Sequence, residues 1–105
     1  PSFGPIIAFG LAGMYVEALD DASQRMTPLT DSDAAEMVRA IRGYRLFAGY
    51  RDLPPADLVA LEETLLRVSL LAEAVPEVVQ LELHPIFVQA AGQGCWIADA
   101  RIRVA

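Results

Sequence analysis

The chain has a single cysteine, Cys95, so no disulfide forms within it. A lone thiol in a strand-like run suits a reducing compartment such as the cytoplasm, with the sulfur buried. Basic residues are scarce: eight Lys and Arg stand against fourteen Asp and Glu, for a net charge of -6. A surface of that sign disfavours nucleic acid and anionic membranes as partners. No apolar run approaches the roughly 18 residues of a membrane span. Cysteine-pair metal motifs, a Walker-type loop and a Ser or Cys nucleophile arrangement are all missing, so no catalytic residue is assigned. Pro1-Ser2-Phe3-Gly4 carries neither an initiator Met nor a basic signal region. The chain is read as a piece of a longer protein.

Its 105 residues are 54% hydrophobic, enough for one domain with its own core. Ile6 to Phe9 reads as a short strand closed by Gly10, Met14 to Leu19 as a second and Ser23 to Met26 as a third. Thr30 is placed as the cap of a helix with Asp33 completing a capping box. Ala34, Met37, Val38 and Ile41 form its apolar stripe, and Gly43 is expected to end it. Tyr44 to Tyr50 is a connector with room for one helical turn. A longer helix is expected to start at Leu53-Pro54-Pro55, with Asp57 favoured by the N-terminal dipole. Pro76 breaks it, and Val78 to His84, Ile86 to Gln89 and Cys95 to Val104 are three further strands, the last two joined by a turn at Ala91-Gly92-Gln93-Gly94. The order of elements predicts an α+β layer: an antiparallel sheet with two helices packed on one face. Leu61, Leu65, Val68, Val79, Leu81, Leu83 and Ile97 are the expected core.

The run Val79 to Pro85 is the most informative stretch. Strict alternation puts Val79, Leu81 and Leu83 on one face and Gln80, Glu82 and His84 on the other. Asp99 follows on another apolar run, where a carboxylate needs a partner such as Arg101, His84 or a metal. At the other end of the chain, Gly10 and Gly13 flank a turn. Either the turn needs positive φ or backbone amides approach a phosphate there. Glu17 and Arg25 are set against each other on neighbouring strands, as a cross-strand ion pair or as contacts to a nucleotide. Arg42, Arg45 and Arg51 surround the Tyr44 to Tyr50 connector, where they either receive an anion or partner domain or solvate helix ends.

Leu81-Glu82-Leu83-His84-Pro85-Ile86 resembles the acidic-hydrophobic-Asn-Pro-hydrophobic strand end of ATP-grasp domains, and Asp99-Ala100-Arg101-Ile102 resembles the strand that follows it. Phe3 to Gly10, Gly13 to Glu17, Pro28 to Asp31 and Arg42 to Arg51 agree in the same order. The resemblance covers nearly all of the chain and is closest to nucleoside-diphosphate-forming acyl-CoA synthetases, the succinyl-CoA synthetase beta chains among them. It implies a single domain over 1–105, the C-terminal half of an ATP-grasp domain, working with the N-terminal half and CoA-binding domains of the parent protein. It implies Mg2+ and ATP or ADP as cofactors, with the two protein ligands of the metal falling on His84, where Asn is usual, and on Asp99; Glu82 joins them at the acidic position. Gly10, Gly13, Glu17 and Arg25 are the candidates for nucleotide contact. Departures from the family pattern are His84, Ala12 and Asp52. They point to an alternative in which the same region is a non-catalytic, regulatory part of a protein lysine acetyltransferase. A purely structural interaction module is a third reading.

Overall fold

The computed structural model describes residues 5–11 and 21–104. The expected strand at Met14–Leu19, Gly13 and Glu17 lie outside the described residues.

β1 (Ile6–Gly10) pairs antiparallel with β2 (Ala22–Met26), with Ile7 opposite Arg25 and Gly10 opposite Ala22. α1 (Asp31–Ala40) begins as its sequence dictates. The Thr30 hydroxyl accepts the Asp33 N–H at 3.0 Å, and the Asp33 carboxylate accepts the Thr30 N–H at 2.9 Å. These bonds, with a smaller contribution from Arg25, hold the Asp33 carboxyl below its ordinary pKa. Ala34, Met37 and Val38 are fully buried. The helix stops before Gly43: Ile41 turns to extended backbone and inserts into the interior. Gly43 instead opens the single-turn α2 (Tyr44–Phe47), and the Asp21 carboxylate accepts the Arg42 and Gly43 N–H groups at 2.6 and 2.8 Å.

α3 (Leu58–Ala74) starts later than the proline pair suggests. The segment before it runs alongside the chain at Gln89–Ala91, where Asp57 N–H donates to Gln89 O at 2.8 Å and Ala91 N–H to Pro55 O at 3.0 Å. That pairing keeps Pro54 and Pro55 out of the helix and leaves Asp57 as its cap. α3 packs along α1, joined at the surface by the Arg39–Glu62 ion pair at 2.7 Å. Between them lies the core of Ile7, Leu29, Ala34, Met37, Val38, Leu61 and Leu65. Full burial of a leucine such as Leu61 stabilises by about 1.5–3 kcal/mol. Two buried hydroxyls are satisfied across elements. Ser23 donates to Met37 O at 2.9 Å, and Ser69 accepts the Leu29 N–H at 2.8 Å.

The last third is one long, bent hairpin. β3 (Val78–Leu83) pairs with β6 (Ala100–Val104), and β4 (Ile86–Val88) with β5 (Cys95–Ile97). The run Cys95 to Val104 is therefore two strands, not one, because it leaves β4 for β3 at Ala98-Asp99. Register nevertheless runs unbroken from Gln80 opposite Arg103 to Val88 opposite Cys95. The bend is stitched by His84 N–H to Asp99 O and Ala98 N–H to Pro85 O, each 3.1 Å, and the His84–Pro85 peptide is cis.

The architecture is the expected α+β class, built as three antiparallel pairs among the described residues with α1 against β1–β2 and α3 against β4. Within the expected core, Leu61 and Leu65 are buried, while Val68, Leu81 and Leu83 are half-buried. Val79 and Ile97 are not core: they are 52% and 48% exposed. A register shift between Val78 and Gln80 breaks the alternation, so Val78 takes the inward place expected of Val79.

Candidate functional site at the hairpin bend

Residues directly opposite in an antiparallel pair project to the same face. Glu82 is opposite Arg101, and His84 and Asp99 meet at the next rung but one. The bend thus gathers Glu82, His84, Asp99 and Arg101 on the outer face of the β3–β6 ribbon, within two rungs. Asp99 lies at the break between β5 and β6, not inside a strand, so its carboxylate is half exposed. Arg101 Nε donates to Asp99 Oδ2 at 3.3 Å. The ion pair that the sequence offered as one partner for Asp99 is therefore formed.

The inner face differs. Leu81 and Leu83 line an apolar cavity of about 610 Å3, walled by β1, by α3 through Leu65, Val68 and Ala72, and by β4. His84 reaches its rim; Glu82, Asp99 and Arg101 do not line it. Charged groups and apolar space are on opposite sides of one ribbon and meet at the bend.

Among the described residues, no three His, Cys, Asp or Glu side chains are grouped to hold a metal by themselves. Magnesium does not need such a cage. It takes one or two carboxylates and completes its octahedron with phosphate oxygens and water. Glu82 and Asp99 fit that demand as hard oxygen donors. The imidazole of His84 does not, since nitrogen suits zinc, copper or nickel.

The candidates at the other end are not brought together. Gly10 and Arg25 sit at opposite ends of the β1–β2 ribbon, three rungs or about 10 Å apart. Arg25 shares its face with the buried Ile7 and Ser23, and its Nη1 donates to Gln24 O at 2.8 Å. Gly10 has an ordinary negative φ. It is glycine because a Cβ there would lie 2.8 Å from the Asp21 carbonyl oxygen. The arginine connector is already engaged in part: Arg42 Nε stands 4.0 Å from Asp21, and Arg51 lies over the Tyr50 ring at 5.2 Å.

Two features escaped the sequence. Arg101 appeared there only as a partner for Asp99, although its i, i+2 spacing from Asp99 already placed both on one face. Asp57 appeared only as a dipole residue. It accepts the Ala60 N–H at 3.1 Å and, from the hairpin turn, the Gly92 and Gly94 N–H groups at 3.1 and 2.8 Å. Ala60 first, then Gly94 and Gly92, hold its carboxyl below the ordinary range. Cys95, beside this turn, is half-buried; burial, and then the Asp57 charge, push its thiol pKa up.

The ATP-grasp domain family matches residues 1–104. Subunit beta of the ADP-forming acetate–CoA ligase II of Pyrococcus furiosus is 41% identical over 103 residues, 97% of this chain and 44% of that protein. The ADP-forming acetate–CoA ligase I of Archaeoglobus fulgidus is 47% identical over 92 residues, 88% of this chain and 13% of that one. A dinucleotide-forming acetyl-coenzyme A synthetase of Ca. Korarchaeum cryptofilum, solved with coenzyme A and Mg-AMPPCP, superposes with a TM-score of 0.93 at 33% identity. It covers all of this chain, which is 48% of that one. The chain therefore belongs to the ATP-grasp family, and the relatives it resembles are ADP-forming acyl-CoA ligases. It spans less than half the length of each of these proteins. No helix among the described residues is long and apolar enough to cross a membrane.

Proposed function

We propose that this chain is the C-terminal half of the ATP-grasp domain of an ADP-forming acyl-CoA ligase, and that it contributes the magnesium-facing wall of a nucleotide site completed by the N-terminal half. The whole enzyme would interconvert acyl-CoA, ADP and phosphate with a carboxylic acid, ATP and CoA, through a phosphohistidine located elsewhere in the parent protein. The observation that carries this reading is the meeting of His84 and Asp99 across the hairpin bend, with Glu82 two residues away on the same face. Asp99 and Glu82 would hold the cation, and magnesium when bound would offset the charge of the nucleotide phosphates. His84 would act by hydrogen bonding, to a phosphate or to a metal-bound water.

Titration calorimetry of ATP with magnesium tests this. The full-length protein should bind and the isolated chain should bind poorly, because a ligand gripped between two halves loses about half its contacts with one of them. Tight, saturable binding by the isolated chain would count against a shared cleft.

His84 favours one further reading, in which the site is degenerate and the region is a regulatory part of a protein lysine acetyltransferase. A fused acetyltransferase domain in the parent, with no ADP-dependent ligase turnover, would establish that reading. An intact first half and turnover would dismiss it.

A further inference from the structure

On the outer face Glu82, His84 and Asp99 are joined by two cations, Arg101 and, opposite Gln80, Arg103; Arg101 is the one that touches Asp99. Arg101 Nε lies 3.3 Å from Asp99 Oδ2, and the arginine side chain is 79% exposed. A guanidinium carries five N–H donors in a planar fork, and one of them is taken here. So exposed a pair contributes little to stability and is readily exchanged. Asp99 therefore already holds a positive group, and that group is shaped to grip phosphate.

We propose that Arg101 is the built-in counter-cation of this site. It neutralises Asp99 while no metal is present, yields the carboxylate when metal and nucleotide arrive together, and turns its fork to the incoming phosphate. This rests on the reading of Asp99 as a magnesium ligand. The physical consequence is a linkage. A free divalent cation must displace Arg101 and leave a guanidinium uncompensated beside a second positive charge. A metal–nucleotide complex brings the phosphate that takes the guanidinium over. The face therefore selects the complex over the bare ion, and metal and phosphate each improve the binding of the other by the same factor.

The test uses the full-length protein and its Arg101→Ala, Arg101→Lys and Asp99→Ala variants. Free Mn2+ binding is followed by electron paramagnetic resonance without nucleotide, and ATP binding by calorimetry with and without magnesium. Arg101→Ala should strengthen free Mn2+ binding and shrink the gain in ATP affinity that magnesium brings, each by about fivefold or more. Arg101→Lys, which keeps the charge but loses the fork, should fall between. Thermal melts should match the wild type, since the side chain is exposed. If either quantity is unchanged in Arg101→Ala while Asp99→Ala abolishes the magnesium dependence, the counter-cation role is overturned and the magnesium site stands. If Asp99→Ala leaves the magnesium dependence unchanged, the magnesium reading falls, and the counter-cation role with it.

Discussion

Asp57 and Gly94 are 37 residues apart in the chain, yet Asp57 Oδ2 accepts the Gly94 N–H at 2.8 Å. The same carboxylate caps α3 and takes the Gly92 N–H, so one side chain fixes the start of the long helix to the tip of the bent hairpin. The hairpin carries the candidate site at its bend. Asp57 thus anchors the tip of the ribbon whose other stretch carries that bend.

Loss of this carboxylate should loosen the hairpin tip first. Asp57→Asn is expected to lower the melting temperature and to speed amide exchange at Gly92 and Gly94. The acid dependence follows in sign. The folded carboxyl titrates below the unfolded value of about 3.9, so its stabilising effect is complete above that value and disappears as pH falls through the lower folded one. Melting temperatures recorded from about pH 6 to about pH 2 should show a shallower acid decline in Asp57→Asn than in the wild type.

Gly94 separates backbone strain from crowding. Its φ is +85° and nothing lies within 4 Å of where a Cβ would stand. Gly94→Ala should then cost about 1–2 kcal/mol from conformation alone. Gly10→Ala should act by the opposite route, since its φ is ordinary and the added Cβ meets the Asp21 carbonyl. Chemical denaturation of the two variants measures both costs.

Leu61 is 2% exposed and lies between α1 and α3. Leu61→Ala should cost about 2–5 kcal/mol. Val79→Ala, at a position 52% exposed, should cost far less. Equal losses in urea unfolding would contradict the placement of the core.

At the bend, His84→Asn should strengthen magnesium-dependent nucleotide binding by the full-length protein, because an amide oxygen suits magnesium and an imidazole nitrogen does not. Asp99→Ala should weaken it. Nucleotide affinity across a magnesium series reports both, and an unchanged series in Asp99→Ala would leave the Arg101 pair as the whole account of that carboxylate.

What the sequence disclosed was local. The Thr30–Asp33 box lies within four residues, and the stripe through Leu61 and Leu65 repeats at helical spacing, so both are read without knowing the fold. The early start given to α3 failed because Asp57 is held by Gln89, a partner that periodicity does not reveal. The single strand given to Cys95–Val104 failed for a related reason. Its apolar pattern continues across Ala98-Asp99 while its pairing partner changes. Val79 was misplaced by a bulge, which alternation presumes absent. At the site, alternation placed Glu82 and His84 together and offered Arg101 as a partner for Asp99, but which of the offered partners Asp99 takes is set by the pairing of β3 with β6.

The unbroken register from Gln80 to Val88 makes the hairpin a counting device. Six residues, Gln89 to Gly94, join β4 to β5. One more residue in that loop, carried along the pairing, would set Glu82 opposite Ala100 and turn Arg101 toward the side of Leu81, splitting the charged face. Insertions and deletions in this hairpin should therefore survive only where the count is already interrupted, at Val79, so the length of a turn remote from the bend is constrained along with its glycines.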